Sequence, residues 1–537
     1  MCRLIPGVNC PSFSFAAVSE RVKTRKSLIM KMGAEFFAPQ RVPSARSAAI
    51  MKRIAIIGGG IAGLSAAWAL EKARRAGQDI DFALYELAEQ LGGVIQSEII
   101  DGCVVEGGPD SFLTEKPAAA QLCRELGLGD QLLPSNDAER RTYIVVNNRL
   151  IPLPDGLMFM VPTKLVPTAL TRLFSWSTKL RMGLEYLFPP APATQDESVA
   201  EMTRRHYGQQ AVDRLVSPLL SGVYGGDASQ LSVRAVLPRM VEMEQKHRSL
   251  TRAMLAARKK ALPSGGERRS APPLFTTLRG GMRQMIDALA AQLPAGSVHL
   301  GTRVHALSRI EAPAQGAQDS GWIVESSFGA DPFDAVILAL PAWGSASLLR
   351  LIDRPLADAL SGVPYSSSIT VTLGYDRDKL ANLPSGFGYL VPASEGRRML
   401  ACTFVHAKFA GRVPENKGLL RCFLGGAGNE ALLEASDASL TGSVLQELAE
   451  VLHLKAQPSF VRIYRWRQAM AQYGVGHLER IQLVRDRMAA LPGLALAGNA
   501  YSGIGVPDCI RTGQEAAAMV LRTLQVESTP AQVRSAG

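Results

Sequence analysis

From Ile54 to Leu70 the chain runs 17 residues without a charge. A helix crossing a bilayer needs about 20 such residues. Here Gly58, Gly59, Gly60 and Gly63 interrupt the run, so the pattern predicts a strand, a glycine turn and an alanine-rich helix. The β-rich stretch Asp79 to Glu86 (DIDFALYE) ends in an acid and supplies the next strand. Strand, helix and strand in this order form a right-handed unit that nucleates a doubly wound sheet.

Further along, Thr142 to Pro154 (TYIVVNNRLIPLP) alternates as a hairpin, and a proline-punctuated, mostly helical region follows from about Thr163 to Gly222. A basic stretch of low complexity, Arg258 to Pro273, reads as a solvated linker rather than a patch for anionic lipid. After a helix around Gly281 to Leu293 come the strand pair SVHLGTRVHALSRI and GWIVESS, then DAVILALP. Strands at SITVTLGYD, RMLACTFV and LLRCFLGG predict a second, antiparallel sheet. The apolar strand GLALAGN, a turn and a helix from Arg511 to Leu524 close the chain.

The predicted class is α/β: a Rossmann-type dinucleotide domain interleaved with an α+β substrate domain and a helical insertion. We assign 51–115, 275–345 and 485–525 to the dinucleotide domain, 116–150 and 346–484 to the substrate domain, 151–257 to the insertion and 258–274 to the linker.

The formal charge of +11 on 537 residues raises the question of nucleic acid. Residues 1–50 carry eight basic and two acidic side chains, so about half of that surplus lies ahead of the first strand. What remains supports no nucleic-acid partner. Residues 1–50 lack the apolar run of a secretory signal; they read as an over-extended start, because Met51 stands directly before the first strand, or as a transit-like sequence. The seven cysteines form no CxxC pair and the seven histidines no HExxH. That argues for reduced thiols in a cytosolic-type compartment and gives no support to a metal site.

Chemistry concentrates at Gly58-x-Gly60-x-x-Gly63. The first glycine permits the tight turn and the second lets backbone approach a pyrophosphate. The third lets helix and strand pack, with phosphates at the helix's positive end. Glu86 follows Gly63 by 23 residues at a strand end, where a carboxylate accepts from ribose hydroxyls and disfavours a 2′-phosphate. The ligand is then FAD or NAD. Gly92-Gly93 allows a second close pass of backbone, which suits the longer flavin cofactor, and Glu106 to Phe112 (EGGPDSF) adds another turn of small residues. A second glycine pattern, Gly426-x-Gly428-x-x-Ala431, lacks a following strand that ends in an acid and is not read as a nicotinamide site. Molecular oxygen or a quinone is the natural electron acceptor.

With these motifs in hand, Lys52 to Leu521 resembles the protoporphyrinogen and coproporphyrinogen oxidase family, within the superfamily of flavin amine oxidases and phytoene desaturases. IAIIGGGIAGLSAAWAL and ELAEQLGGVI carry the superfamily likeness. EGGPDSFLTEKP, SPLLSGVYGGDASQLS, FTTLRGGMRQMIDALA, SGFGYLVP, YRWRQAMAQYGVGH and LALAGNAYSGIGVPDCIRTGQEAA carry the narrower one.

The resemblance implies one non-covalent FAD per chain, held by Gly58, Gly59, Gly60, Ile61, Ala62, Gly63, Glu86, Leu87, Gly93, Val94, Gly108, Pro109, Asp110, Ser111, Val304, Asn499, Ile504, Gly505 and Val506. It implies oxidation of protoporphyrinogen IX to protoporphyrin IX in haem synthesis, with coproporphyrinogen III to coproporphyrin III as the alternative. Three rounds of hydride loss from a meso carbon and proton loss from a pyrrole would reduce three O2 to H2O2, with no conventional acid or nucleophile. Lys116, Arg149 and Arg467 are candidate partners for the propionates, and Phe387, Tyr389 and Leu390 candidate pocket residues; no catalytic residue is named.

Contact with a membrane surface, a homodimer and hand-over of product to a ferrochelatase are further implications of the resemblance. Met158 to Phe188 mixes apolar residues with Lys164, Arg172, Lys179 and Arg181, which fits a membrane-surface segment or a lid. A flavin amine oxidase fits less well, since AGNAYSG lacks an acid near Asn499 and no Cys stands where a covalent flavin link is expected. Intact phosphate glycines and Glu86 argue against a non-catalytic binding protein on the same fold.

Overall fold

The computed structural model describes residues 51–154, 157–158, 161–162, 165–261, 272–310 and 321–527. Residues 1–50, most of the basic linker, and Lys164 lie outside the described residues. The strand Lys52–Ile57 is central to a five-stranded sheet whose order is Val298–His299, Ile80–Tyr85, Lys52–Ile57, Ala335–Leu338 and Leu494–Leu496, with every pair parallel. A central parallel strand is covered on both faces, which is why its sequence is continuously apolar instead of alternating. Ile54 and Ile56 enter one core cluster with the helices Ile61–Arg75, Arg283–Ala290 and Val506–Glu527. Ala55 and Ile57 enter the other, shared with a three-stranded antiparallel sheet, Val304–Arg309, Trp322–Ser326 and Gly329–Phe333.

The first and last helices cross closely because Gly513 has no side chain; a Cβ there would lie 2.1 Å from the Ala62 carbonyl oxygen. The last helix begins at Val506, five residues before the predicted start at Arg511. The stretch SVHLGTRVHALSRI is not a single strand. Gly301, with φ of +60°, turns it, so that Val298–His299 joins the parallel sheet and Val304–Arg309 the antiparallel one.

The second sheet has seven strands in the order Phe460–Ala471, Tyr365–Asp376, Lys417–Gly425, Met399–Phe404, Gly388–Leu390, Thr142–Val146 and Arg149–Pro152. It is mixed, because Gly388–Leu390 pairs with Thr142–Val146 in parallel. Asn147 and Asn148, both with positive φ, make the hairpin turn, and the helix Asp437–Leu452 buries one sheet face. The predicted boundary at 116 shifts. Helix Pro117–Glu125 buries Ala119, Leu122 and Cys123 in the dinucleotide-domain core, and Trp68 Nε1 donates to Glu125. Its apolar face suits either layer by pattern; a contact 57 positions away decides.

The insertion is helical, with helices Trp176–Leu187, Val199–Tyr207, Ser217–Tyr224, Pro238–His247 and Leu250–Ala261. The last of these takes up the first four residues of the expected linker. In the mixed apolar and basic segment, Leu173 and Phe174 are core residues, while Trp176, Leu180, Leu187 and Phe188 are exposed.

Candidate active site

Gly58 leaves the first strand with φ of +110°, and a Cβ on it would sit 2.5 Å from the Ala339 carbonyl oxygen. Gly63 packs against that turn, since its Cβ would fall 1.9 Å from the Gly58 oxygen. Gly60 differs from both. A Cβ there would meet nothing within 4 Å, and Gly60 is the N-cap of Ile61–Arg75 with no side-chain cap bond. In the first turn of that helix the amides of Ile61, Ala62 and Gly63 have no acceptor among the described residues, which fits a pyrophosphate beside Gly60.

Glu86 ends the neighbouring strand and accepts from the Gly59 amide at 2.6 Å and the Ala88 amide at 2.8 Å. The Gly92 amide donates to the Gly59 oxygen at 2.9 Å, and Gly60 and Gly92 form a parallel bridge, so Gly92-Gly93 lies against the glycine turn. Leu87 and Val94 on either side are exposed apolar side chains. Thr302 donates to the Glu86 carbonyl at 2.8 Å, which brings the half-buried Val304 near the same strand end. Residues distant in sequence thus converge on one face, and their backbone cradle fits a dinucleotide.

Gly108 continues this face; a Cβ on it would lie 1.7 Å from the Val94 carbonyl oxygen. Pro109 is half-buried beside it. The Asp110 carboxylate points into a buried ionic group, 2.9 Å from Lys408 and 4.0 Å from Arg421, and Ser111 Oγ donates to it at 2.7 Å. Burial alone would raise the Asp110 pKa, but Lys408 and Arg421 outweigh it and hold the carboxyl well below the usual range. Asp110 and Ser111 are therefore tied to the second sheet through their side chains.

The segment Asn499 to Val506 is half-buried for most of its length. Asn499 Nδ2 donates to the Ala469 oxygen at 2.9 Å. The Tyr473 hydroxyl donates to the Asn499 carbonyl at 2.8 Å and accepts from the Gly503 amide at 2.7 Å. The Tyr365 hydroxyl accepts from Ala342 and donates to Asn499 Oδ1. Burial pushes the Tyr365 phenol up to about 12 and raises that of Tyr473. Both stay protonated at neutral pH and able to make these bonds. Ile504 is half-buried at the edge of the apolar core, and Gly505 donates to Asp508 near the start of the last helix.

The substrate candidates do not share one place. Lys116 sits by that helix start, paired with Asp508 at 2.6 Å. Arg149 lies exposed on the edge strand of the second sheet, and Arg467 pairs with Glu434 at 2.6 Å in the open. Tyr389 belongs to the core under Asp437–Leu452, and Phe387 is buried. Leu390, the next residue on from Tyr389, faces the opposite side toward Gly222 of the insertion.

Sequence reasoning missed Thr370, Lys408, Arg421, Trp466, Tyr365 and Tyr473. The only sequence signal was that Trp466 and Tyr473 fall inside the quoted motif YRWRQAMAQYGVGH. The second glycine pattern follows an antiparallel strand and leads into the short 3-10 turn Glu430–Glu434, which is no dinucleotide unit. No cluster of metal-ligating side chains occurs among the described residues. A cavity of about 650 Å³ lined by Arg181, Asp196, Glu197, Glu201, Arg204 and Arg205 lies in the helical insertion and touches none of the groups above.

Known proteins resemble this chain in sequence and fold. A family model for flavin containing amine oxidoreductases matches residues 61–521. The chain is 34% identical over 478 residues to a coproporphyrinogen III oxidase of Bacillus subtilis (strain 168), covering 88% of this chain and 98% of that one. It is 29% identical over 484 residues to the chloroplastic protoporphyrinogen oxidase 1 of Spinacia oleracea, covering 87% and 83%. A crystal structure of a provisionally named protoporphyrinogen oxidase from Exiguobacterium sp. 255-15 superposes with a TM-score of 0.77 at 31% identity, over 88% of this chain and 99% of that one. The family match begins at the first helical residue after the glycine turn and runs almost to the end of the last helix; the chain belongs to the flavin-containing amine oxidoreductase family and is an FAD-dependent oxidoreductase.

Proposed function

We propose that this chain oxidises a porphyrinogen to the porphyrin, protoporphyrinogen IX to protoporphyrin IX, with three O2 reduced to three H2O2 across six electrons. The observation that carries the reading is the likeness, over most of the chain, to relatives named for porphyrinogen oxidation. Bound FAD supplies the two-electron redox chemistry. The Gly58 to Gly63 turn and the first helix hold its diphosphate, Glu86 its ribose, and the Asn499 to Val506 turn the flavin end. The residues around that turn contribute fixed phenol and amide hydrogen bonds and an apolar wall, and none is asked to act as a nucleophile.

Charge favours protoporphyrinogen over coproporphyrinogen, which carries two more carboxylates. Of the candidate propionate partners, Lys116 and Arg467 are each already paired with an acid, Asp508 and Glu434, and Arg149 stands apart from both on the edge strand of the second sheet. A second reading, coproporphyrinogen III to coproporphyrin III, is favoured by the names of relatives 33–34% identical. Anaerobic mixing of the oxidised holoenzyme with each porphyrinogen separates the two. We expect the flavin absorbance to bleach at least about tenfold faster with protoporphyrinogen. Faster bleaching with coproporphyrinogen would establish the second reading, and bleaching by amines alone would sink both.

The exposed face formed by Val166, Leu170, Trp176, Leu180, Leu187 and Phe188, with Lys179 over the Trp176 ring, suits contact with an anionic membrane surface. No described helix is long and apolar enough to cross one. Co-sedimentation with anionic vesicles is expected, and to weaken in Trp176→Ser; equal binding by the variant removes the idea.

A further inference from the structure

The peptide joining Gly107 to Gly108 is held more heavily than a turn requires. Its carbonyl oxygen accepts from Trp466 Nε1 at 2.8 Å, Thr370 Oγ1 at 3.0 Å and Arg421 Nη2 at 3.3 Å. Arg421 also bonds the next carbonyl, that of Gly108. A carbonyl oxygen has two lone pairs, and this one faces three donors, one of them a buried cation. Drawing electron density onto the oxygen deepens amide resonance and makes the N–H of the same peptide a stronger donor. That N–H belongs to Gly108, and it has no acceptor among the described residues.

The location gives this polarisation a target. Gly108 packs directly on the Val94 carbonyl, and Gly93 lies against Gly60, whose ideal Cβ meets open space. The Gly108 amide therefore stands on the same face as the pyrophosphate turn. On the other side of the peptide, Tyr464 and Trp466 stack in parallel with ring centroids 6.3 Å apart. A side chain on Gly107 would run into Tyr464, at 2.8 Å. The three hydrogen bonds and the ring face together oppose a flip of the peptide.

We propose that Trp466, Thr370 and Arg421 are positioning residues that fix and polarise the Gly107–Gly108 peptide so that the Gly108 N–H donates to the FAD. The inference rests on the cofactor assignment and is independent of which substrate is oxidised. A purely structural clamp between the two sheets is the competing account, and the two differ in what the variants do to the apoprotein.

The test uses Trp466→Phe, which removes one N–H and keeps an aromatic ring, and Thr370→Val, which removes one hydroxyl at nearly constant volume, singly and together. FAD affinity is measured by quenching of flavin fluorescence on titrating apoprotein, and the 31P spectrum of the bound FAD diphosphate and the apoprotein melting midpoint are recorded alongside. Loss of one of the three donors weakens the bond made by the Gly108 N–H without removing it, which predicts FAD binding weaker by up to about twofold in each single variant, more in the pair, with a displaced diphosphate resonance. Thr370→Ser, which restores the hydroxyl, should recover both. Unchanged FAD affinity and spectrum in the double variant would overturn the proposal. So would a fall in the apoprotein midpoint with an unmoved diphosphate resonance, which is the signature of the clamp. Porphyrinogen turnover enters none of these readouts, so failure here and failure of the substrate reading remain distinguishable.

Discussion

Among the described residues, two groups of ionised side chains are buried where several charges meet, and one of them contains a histidine. Where Glu106 to Ser111 meets the second sheet, Glu106 and Asp110 face Lys408, Arg412 and Arg421. In the helical insertion, Glu185, Glu197 and Glu244 face Arg205 and His206. The first group has one cation in excess and the second one anion. The first group contains no side-chain type whose ordinary pKa lies in the neutral range. In the second, His206 Nδ1 lies 2.9 Å from Glu185 and Nε2 lies 2.8 Å from Glu244. Both ring nitrogens face carboxylates, so both must donate, which requires the imidazolium. The contrast teaches that one buried ionic group, without a histidine, fixes the backbone of the Glu106 to Ser111 turn, while a titratable charge holds the helical lobe.

The largest effect is expected from breaking the first group. Glu106 accepts from Arg412, from Ser97 at 2.5 Å and from the Met282 amide at 2.8 Å. Glu106→Gln would leave the Arg412 guanidinium, 1% exposed, without its anion. Removing one partner of such a buried pair costs about 3–5 kcal/mol. The denaturation midpoint should drop accordingly, by the same amount at pH 6 and pH 8, with FAD released more readily. A loss below about 1 kcal/mol would mean that water enters the site and that the group is not the fixed frame described.

The histidine group should respond to pH, in a direction the shifts define. Burial lowers the His206 pKa but Glu185 and Glu244 outweigh it, so the net shift is upward. Its contribution is then full below the unfolded value of about 6.5 and fades as pH rises through the raised folded value. For Glu185 and Glu244, burial raises the pKa, yet the bonds to His206 and the neighbouring donors bring it below the ordinary value. Their contribution is present above about pH 4.5 and fades as pH falls through the depressed values. The lobe should be tightest between those limits and loosen on the alkaline side. His206→Gln is expected to cost roughly 1.5–3 kcal/mol at pH 6 and much less at pH 9. Proteolytic nicking within Val199–Tyr207 followed from pH 6 to 9 checks this; an identical pH slope in the variant would contradict it.

The same contrast explains what could be read from sequence. Gly58, Gly60 and Gly63 were legible because their demands are local, a positive φ here and a close helix there, and five residues of spacing express them. The alternation in TYIVVNNRLIPLP and the continuous apolarity of IAII were equally local, and both gave the right strands. What holds Gly107 was not legible. Its three donors stand 263, 314 and 359 positions away, and nothing in Thr370, Arg421 or Trp466 marks them as partners of a glycine. Asp110 was read as part of a turn of small residues near the cofactor, and its buried partners were invisible for the same reason. Lys116 was chosen as a candidate propionate partner, and its pairing with Asp508, 392 positions on, could not be read from the sequence. Long-range pairing decides which charges are free.

Arg467 supplies the smallest effect and the sharpest contrast with its neighbour. In a strand, successive side chains point to opposite faces. Tyr464 and Trp466 turn toward Gly107, whereas Arg465 and Arg467 turn toward the 3-10 turn Glu430–Glu434. Both partners of the Arg467–Glu434 pair are more than half exposed, so solvent and salt screen it and its removal leaves few groups unsatisfied. We therefore expect Arg467→Ala to leave the melting midpoint unmoved and KM for the porphyrinogen within about twofold, since an open pair adds little when one member is lost. Were Arg467 a propionate partner, losing a charge-assisted bond of about 1.5–3 kcal/mol would raise KM by roughly tenfold or more. Measuring KM for Arg467→Ala and FAD affinity for Trp466→Phe in parallel separates two adjacent residues that the sequence presented as one motif. A tenfold rise in KM with unchanged stability would move Arg467 from the surface account into the substrate site, and would show that its bond to Glu434 gives way when substrate binds.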